Sequence, residues 1–350
     1  MIGRLIILPE KGDAMLRSTE YTLSDQSDKR ICRSHVWTAL FVILAIEGAC
    51  ATPYAFGAET PTAGTTFRDC ANCPEMVVIP NGDFLMGLSD TEWKRDVDSS
   101  FTAMDKPWQG HFLSREQPQH AVHVSAAFAL GKYPVTREEF AAFIADSGYD
   151  YKNGCYYYGG AKIVFHLEGG WQHPEIWQSG RSPVVCVSWG DSQAYVAWLN
   201  KRVSDDMVDR KSGSYRLPSD AEWEYAARAG QSTTRWWGDD IGRNNAVCSD
   251  CGSHWDKLGT PPVGSFPANL FGLFDMLGNV SELIEDCWHD NYKGAPTDAS
   301  PWLSTGCNWH VVRGASWRTP PMALRTTVRN ALPLYDRFNT IGFRVAKNLQ

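Results

Sequence analysis

The chain of 350 residues is 43% hydrophobic and 21% charged, a composition typical of a globular protein with one large or two ordinary domains. It has no glycine period, no sustained heptad and only one long apolar run, which excludes collagen-like, coiled-coil and multispan membrane proteins. A net charge of −7 without a cluster of Lys and Arg argues against a nucleic-acid partner.

Residues 1–51 predict an N-terminal region with a secretory signal peptide. Basic residues precede the apolar run 36–46, and Ala49-Cys50-Ala51 places small residues at a cleavage position. A transmembrane anchor is the alternative, but the run is short for a bilayer and Glu47 interrupts its end. We therefore expect a periplasmic or secreted protein that has no membrane contact after signal cleavage.

Cleavage after Ala51 removes two of the ten cysteines and leaves an even number in an oxidising compartment. Local pairing is suggested by their spacing, although the spacing alone does not fix the connectivity. The candidate disulfides are Cys70 with Cys73, Cys155 with Cys186, Cys248 with Cys251, and Cys287 with Cys307. As alternatives, the two Cys-x-x-Cys pairs can hold a zinc ion together or act as redox pairs.

A flexible lead-in is predicted for residues 52–74, because they are rich in Ala, Thr, Pro and Gly. One domain is predicted over residues 75–350. It begins with two apolar runs, 76–79 and 83–87, that flank Asn81-Gly82, and this pattern predicts a β-hairpin.

Further along the chain, residues 120–124 and 128–130 have the pattern of short strands. His120 and His123 would point to opposite faces of the first of these strands, so we do not expect both to bind one metal ion.

Three helices are predicted from their N-terminal caps. Thr136 with Glu139, Ser188 with Asp191, and Ser219 with Glu222 each have the spacing of a capping box or a related cap. After Gly230 no helical periodicity remains, and short apolar pieces alternate with Gly, Pro and Asn. The second half of the domain is therefore predicted to consist of brief strands and long ordered loops.

The segment from Asp275 to Glu282 reads DMLGNVSE and places two carboxylates on either side of a glycine-centred turn. Carboxylate and inward-pointing carbonyl oxygens are the ligands that calcium prefers, although the spacing is not that of an EF-hand. A tight turn followed by a short helix is the alternative interpretation.

Seven motifs occur in an order that resembles the sulfatase-modifying factor, or formylglycine-generating enzyme, family. They are MVVIPNG with MG at 76–87, YPVT at 133–136, PVVCVSW at 183–189, RLPSDAEWEYAAR at 216–228, FGLFDMLGNVSE at 271–282, RGASW at 313–317 and GFR at 342–344. The resemblance implies an α+β domain with the fold of that family, which is related to the C-type lectin fold. Such a domain is loop-rich, with short strands and few helices.

The resemblance also implies structural calcium as a cofactor. One calcium would bind Asp275, Glu282 and the carbonyls of Gly278 and Val280. A second would use residues of a preceding loop. These are Asn245, Asp256, the carbonyl of Ala246 and that of Leu258.

Enzymes of this family oxidise a sulfatase cysteine with molecular oxygen, using two cysteines that bind copper. In this chain the matching stretch after Gly314-Ala315-Ser316-Trp317 has no cysteine, and none occurs after Cys307. Soft thiolate ligands for Cu(I) are therefore missing, and the resemblance does not identify a redox metal. The chain shares this loss, and its predicted export, with a family branch that oxidises a siderophore precursor in pyoverdine maturation.

Three candidate catalytic residues follow from the resemblance and from proximity in sequence. Ser316 matches an active-site serine of the family, and its alternative role is to cap a local turn. His310 is the nearest imidazole in sequence and is a candidate base or metal ligand. Arg318, with Arg325 and Arg329, is a candidate for binding an anionic group, although Arg329 and Arg344 can instead belong to buried ion pairs. Trp317 and Trp288 are candidates for the pocket wall.

Two functions remain open from the sequence. The first is an exported oxidoreductase that acts on a peptide or small-molecule substrate, with a sulfatase-like protein among the candidate partners. The second is a calcium-stabilised, lectin-like binding module without catalysis. Titratable side chains that converge beside Ser316 would favour the enzyme, whereas an open aromatic groove without them would favour the binding module.

Overall fold

The computed structural model describes residues 62–97, 114–159, 162–206 and 214–349, and the predicted signal region 1–51 lies outside them. The described residues all fall within one compact unit, Ala58–Gln350. Within these ranges, no helix combines the length and the apolar character needed to cross a bilayer.

Thirteen short strands and four α-helices form the described part of the chain, and long loops connect them. The strands are β1 (Thr66–Phe67), β2 (Met76–Ile79), β3 (Gly82–Met86), β4 (His120–Val124), β5 (Phe128–Gly131), β6 (Cys155–Gly159), β7 (Lys162–His166), β8 (Tyr215–Arg216), β9 (Ser281–Cys287), β10 (Trp309–Arg313), β11 (Arg329–Pro333), β12 (Ile341–Phe343) and β13 (Ala346–Asn348). The helices are α1 (Asp90–Glu92), α2 (Arg137–Ser147), α3 (Trp189–Asp206) and α4 (Asp220–Arg228); a π-helical turn covers Trp93–Val97 and a 3-10 turn covers Pro321–Ala323. This composition confirms the predicted loop-rich α+β fold.

Nine of these thirteen strands belong to two sheets. The first has the strand order β1-β2-β5-β13-β8 and is antiparallel throughout. The second has the order β11-β10-β9-β12, in which only β12 runs parallel to its neighbour. Two-stranded ribbons are formed by β3 with β4 and by β6 with β7.

The predicted hairpin at Asn81-Gly82 is wrong. Both apolar runs are strands, but β2 pairs with β1 and β5 while β3 pairs with β4, so the two runs belong to different sheets. The two strands predicted at 120–124 and 128–130 are present as β4 and β5. His120 and His123 do not share a site, since His120 contacts the Tyr292 ring and His123 lies 2.8 Å from Asp83.

All three predicted helices are present with the expected caps. Thr136 and Ser219 each form a reciprocal capping box, in which the N3 glutamate also accepts the backbone N–H of the cap residue. At α3, Asp191 accepts the Ser188 backbone N–H at 2.8 Å. Each cap determines the residue at which its helix begins, so the helix starts could be predicted from the sequence.

Four disulfides join the pairs proposed from spacing. Each of the eight cysteines among the described residues is therefore oxidised, which excludes the zinc alternative for those thiols. Disulfide Cys70–Cys73 lies just after β1, which pairs with β2. From residue 62 onward, the lead-in that composition predicted to be flexible thus belongs to the fold.

Candidate functional site

The motif after β10 is held rigidly in the protein interior. The backbone N–H of Trp317 donates to the carbonyl of Asn279 at 2.9 Å, and its indole N–H donates to the carbonyl of Asn339 at 3.1 Å. Only 3% of Trp317 is exposed. These bonds connect the RGASW motif to the DMLGNVSE turn and leave Arg318, the next residue, at the surface of a pocket.

This pocket encloses about 250 Å³ and is bounded on one side by the β6–β7 ribbon. We call it the Arg318 pocket. Its lining residues are Tyr157, Tyr158, Val164, His166, Glu175, Ile176, Lys257, Leu258, Trp317, Arg318 and Asn339.

One disulfide and two hydrogen bonds hold the β6–β7 ribbon beside the pocket. Disulfide Cys155–Cys186 holds the first residue of β6. The Tyr156 N–H donates to the carbonyl of Arg337 at 2.8 Å, which attaches β6 to the loop before β12. The Tyr157 hydroxyl donates to the carbonyl of His173. Tyr157 is thereby fixed in the pocket wall, where burial raises the pKa of its phenol.

His166 and Glu175 form a pair at the edge of the pocket. Nδ1 of His166 lies 3.1 Å from a carboxylate oxygen of Glu175, and 38% of the imidazole is exposed. The Tyr157 ring lies against the imidazole, with 4.6 Å between ring centroids. A carboxylate next to Nδ1 favours a proton on that nitrogen and leaves Nε2 as the atom that can accept a further proton. The pair can therefore act as a general base.

Arg318 supplies a cation at the other side of the pocket. Its guanidinium lies 5.3 Å from the ring centroid of Tyr158 and 6.0 Å from that of Trp317. Such stacking favours a guanidinium in a defined orientation. Lys257 also lines the pocket, so the arrangement can hold an anionic group next to aromatic surface.

The other two catalytic candidates have different surroundings from those we expected. Ser316 is 4% exposed, and its backbone N–H and hydroxyl both bond Thr319 Oγ1, so it closes a local turn. His310 lies near the start of β10, whereas Ser316 follows its end, and about 3.3 Å per residue separates them along the strand. The imidazole stacks on Trp189 at 4.0 Å and contacts Cys307 Sγ at 3.6 Å. His310 is therefore not a base for the Arg318 pocket.

The remaining arginine and tryptophan candidates belong to the interior. Arg325 bonds both carboxylate oxygens of Glu116 at 2.7 Å, and Arg329 pairs with Asp220 at 3.2 Å. Trp288 lies under the Arg329 guanidinium, 4.6 Å from it, and does not line the Arg318 pocket. The alternative of structural ion pairs for Arg329 and Arg344 is correct.

The first predicted calcium site fits in part. Asp275 is 7% exposed, and its hydrogen-bond donors among the described residues are neutral, namely the N–H of Gly264 at 2.7 Å and the Asn279 amide at 3.3 Å. Burial raises the pKa of Asp275 to about 6. Next to it, the buried Oδ1 of Asn279 has no hydrogen-bond partner. A buried carboxylate and an unpartnered amide oxygen are a donor set that suits a hard cation.

Glu282 does not fit the predicted role as a calcium ligand. Its two carboxylate oxygens receive two bonds of 2.7 Å from Arg344, and the Trp223 indole N–H donates at 2.7 Å. The guanidinium already balances its charge. In the described residues no group of three or more His, Cys, Asp or Glu side chains is arranged to hold a metal ion. Any calcium here would therefore depend on Asp275 and carbonyl oxygens.

The second predicted calcium site does not fit. Asp256 accepts hydrogen bonds from the N–H groups of Gly252 and Ser253 and from the Ser253 hydroxyl, at 2.7 to 3.2 Å. Its carboxylate therefore caps the loop of the Cys248–Cys251 disulfide. Asn245 donates its amide to the carbonyl of Ile241 at 3.2 Å. The aspartate thus has a local structural role in this chain.

Sequence reasoning missed His166, Glu175 and the two tyrosines of the pocket. No motif marks them, because the β6–β7 ribbon must fold back before His166 can approach Glu175. The two runs of aromatic and β-branched residues, 156–158 and 163–165, with glycines between them were a signal for a ribbon, but they do not indicate where it would pack.

Comparison with known proteins identifies the family of the described domain. The model of the sulfatase-modifying factor enzyme 1-like domain matches residues 62–349. The formylglycine-generating enzyme of Mycobacterium tuberculosis is 30% identical over 257 residues, which cover 59% of this chain and 72% of that protein. The enzyme of the same name from Streptomyces coelicolor is 30% identical over 317 residues, covering 78% and 88%.

Among solved structures, PvdO from Pseudomonas aeruginosa has a TM-score of 0.68 and 36% identity, covering 83% of this chain and 100% of that one. Both the matched family model, which spans nearly all of the described residues, and this structural similarity agree with the fold reported above. The chain therefore belongs to the sulfatase-modifying factor enzyme 1-like family.

Proposed function

We propose that this protein is an oxidoreductase that oxidises a peptide-derived, electron-rich aromatic substrate in the Arg318 pocket. The observation that carries the proposal is the His166–Glu175 pair, 3.1 Å apart, in a pocket that also contains a stacked guanidinium. A binding groove has no need of an oriented imidazole, whereas proton removal does.

The lining of the pocket supports this substrate class. Tyr157, Tyr158 and Trp317 offer aromatic surface, and Arg318 with Lys257 supplies positive charge for an anionic group of the substrate. The relatives named formylglycine-generating enzymes produce an amino-acid residue, so they act on polypeptides. From these relatives we infer for this chain only that the substrate is a peptide. We do not infer a reaction that uses free cysteines, because the described cysteines are all in disulfides.

The proposed reaction is a two-electron oxidation with molecular oxygen as the oxidant. The substrate loses two protons and two electrons, for example from a pair of ring hydroxyls, and oxygen gains them to form hydrogen peroxide. Nε2 of His166 accepts one substrate proton, Glu175 stabilises the resulting imidazolium, and the imidazolium then donates this proton to the reduced oxygen, which takes the second proton from the other hydroxyl. Arg318 holds the anionic group and orients the ring against Trp317. Removal of the proton makes the substrate a better electron donor.

Oxygen uptake and product mass test the proposal. A peptide siderophore precursor with a dihydroxyaromatic group and a cysteine-containing sulfatase peptide are offered separately to the full chain. We expect the aromatic precursor to be oxidised with one hydrogen peroxide per product. The His166→Gln variant should lower kcat at least ~100-fold, as for other general bases.

The control is His123→Gln, which removes an imidazole from a similar but exposed pair with Asp83, outside the Arg318 pocket. It should leave kcat unchanged. Equal rates for His166→Gln and the wild type would contradict the assignment of His166 as the general base. Saturable binding of the precursor without turnover would instead support the second candidate, a lectin-like binding module.

We also propose that a structural calcium ion binds at Asp275. Two observations on the described residues support it: the buried Asp275 carboxylate forms no ion pair with a basic side chain there, and Oδ1 of Asn279 has no hydrogen-bond partner. The carbonyls of Gly278 and Val280 would complete the site. A bound cation would stabilise the turn that the Trp317 N–H contacts through Asn279 and so support the pocket wall.

Thermal unfolding in calcium and in EGTA tests this site. At a calcium concentration of 100 times Kd, binding should stabilise the wild type by about 2.7 kcal/mol. Asp275→Asn should remove the difference between the two buffers. Asp256→Asn, at the aspartate that caps the Cys248–Cys251 loop, should keep it. A calcium response in Asp275→Asn equal to that of the wild type would place the ion elsewhere.

Export to the periplasm or the medium is proposed as well. Four disulfides support it, because such bonds persist in oxidising compartments. N-terminal sequencing of the protein recovered outside the cytoplasm should begin at Thr52. Recovery only from the cytoplasm, with reduced thiols, would contradict export.

A further inference from the structure

Within the described part of the chain, the outer edge of β7 is an unpaired strand edge. On its inner side β7 pairs with β6, and no strand among the described residues pairs with its other side. Strand β6, in contrast, is paired on both sides: the Tyr156 N–H bonds Arg337 O at 2.8 Å, and Tyr156 O accepts the Asn339 N–H at 3.1 Å.

The direction of these bonds defines which groups of β7 point outward. Because Tyr156 uses its N–H and C=O toward residues 337 and 339, it exchanges none with its partner Phe165. The N–H and C=O of Phe165 therefore point away from β6. By the two-residue alternation of an antiparallel pair, those of Ile163 do the same. The edge offers two donor and acceptor sets about 6.8 Å apart.

The side chains along this edge are apolar and exposed. The exposed fractions of Ile163, Val164 and Phe165 are 53%, 43% and 51%. Soluble proteins usually protect such an edge with charges, a bulge or a covering segment, because it readily pairs with another chain. Lys162 is the only charged residue of β7 before His166. An exposed apolar edge of this kind is typical of β-strand addition.

The edge continues directly into the Arg318 pocket. Val164 and His166 lie on one face of β7 and line the pocket, while Ile163 and Phe165 lie on the other face. A chain added along β7 would therefore place alternate side chains over the pocket. The charges there are Lys257, Arg318 and the carboxylate of Glu175, which is paired with His166. The two cations favour an acidic side chain on the added chain.

We propose that an extended segment of the substrate polypeptide adds to the outer edge of β7 as a strand and directs an acidic side chain toward Arg318 and Lys257. The inference rests on the proposed function, since it makes the substrate a polypeptide held beside the catalytic pocket. Donors and acceptors at a two-residue repeat match the backbone of an extended peptide.

The probe is a displayed library of random heptapeptides, selected on the full chain, and the test is carried out at Ile163. Ile163→Pro removes the outward N–H but no bond to β6, so the ribbon is retained. Ile163→Thr is the matched control, because it removes the same apolar side chain and keeps the N–H. We expect acidic peptides that bind Ile163→Pro at least ~10-fold more weakly than the wild type and Ile163→Thr within ~2-fold. N-methylation at every second peptide residue should reproduce the loss.

Equal affinity of the wild type and Ile163→Pro would overturn the proposal, and so would a selection that yields no binder. A dimer in solution that Ile163→Pro dissociates would assign the edge to a second copy of the chain and would also overturn it. The outcome is separable from the proposed function: if Ile163→Pro binds peptides normally while His166→Gln loses oxidation, the strand addition fails and the enzyme assignment stands. If oxidation is absent and Ile163→Pro weakens binding, the reverse holds.

Discussion

At the scale of single residues, Glu282 shows how a motif can be matched while its role differs. The carboxylate was predicted to bind calcium, but Arg344 and Trp223 occupy it in the interior. Both Glu282 and Arg344 are at most 1% exposed. Forming such a buried ion pair adds little net stability. Removing one partner is strongly destabilising, because the other charge then stays buried without a counter-charge.

Substitution of Arg344 by Met should therefore be strongly destabilising. The variant leaves a buried carboxylate without its cation, and we expect the free energy of unfolding to fall by about 3–5 kcal/mol. Urea unfolding followed by fluorescence measures this change. Lys152→Met, in an exposed pair with Asp150, is the control and should leave the urea midpoint in place. A loss below about 1 kcal/mol for Arg344→Met would mean that Glu282 finds another cation, such as calcium.

Residues within a local motif could be located from the sequence, and those joined by folding could not. Trp317 and Arg318 were placed at the site because Trp317 ends the RGASW motif and Arg318 follows it directly. Ser316 lies in the same motif, yet its hydroxyl is engaged by Thr319 two residues beyond Trp317. His166 and Glu175 meet only because the ribbon folds back and Glu175 follows in a separate loop, a juxtaposition without a sequence signature.

At the scale of elements, the same distinction separates the helices from the first hairpin. A capping box contains its own stabilising bonds within four residues, so the starts of α2 and α4 were predictable. The Asn81-Gly82 turn signal is also local, but β2 gains more by pairing with β5, about fifty residues away. Its four residues are fully buried there, and burial of apolar surface outweighs a favoured turn.

The junction of β9 with α4 should make stability depend on pH. Asp286 accepts the N–H groups of Asp220 and Trp302, and burial beside the Asp220 carboxylate raises the pKa of Asp286 to about 7. An unfolded aspartate has a pKa of about 3.9, so the native state binds the proton more tightly between pH 4 and 7. Stability from this group is therefore present at low pH and falls as the pH rises to 7.

Urea unfolding of the wild type and Asp286→Asn across this range tests the sign. The difference in unfolding free energy should change with a slope of up to about 1.4 kcal/mol per pH unit, with the wild type losing stability relative to the variant as the pH rises. Above pH 7 the difference should be constant. A difference that grows in favour of the wild type with rising pH would show that a cation compensates Asp286.

At the scale of the whole molecule, the disulfides differ in how much chain they constrain. Cys155–Cys186 closes a separation of 31 residues, and Cys70–Cys73 closes one of 3. In the chain-entropy account, loops of these lengths restrict the unfolded state by about 4 and about 2 kcal/mol. The long bridge also attaches the β6–β7 ribbon to the segment before α3.

Replacement of both cysteines of a pair by Ala tests this difference. The 155/186 variant should lose about 2 kcal/mol more unfolding free energy than the 70/73 variant, measured in urea under identical conditions. The 70/73 variant is the control for cysteine removal itself. Equal losses would mean that local packing, and not loop length, determines the effect of each bridge.

Strand β13 lies between β5 and β8, inside the five-stranded sheet. Its Lys347 is 3% exposed and bonds Asp69 at 2.5 Å, so it joins segments nearly 280 residues apart. During synthesis on the ribosome, the sheet cannot close until residues 346–348 have left the exit tunnel. Until then β5 and β8 each present an open edge to the surroundings. The five-stranded sheet therefore forms only after β13 has been translated, more than 200 residues after β5, and a chaperone that covers these edges would act during that interval.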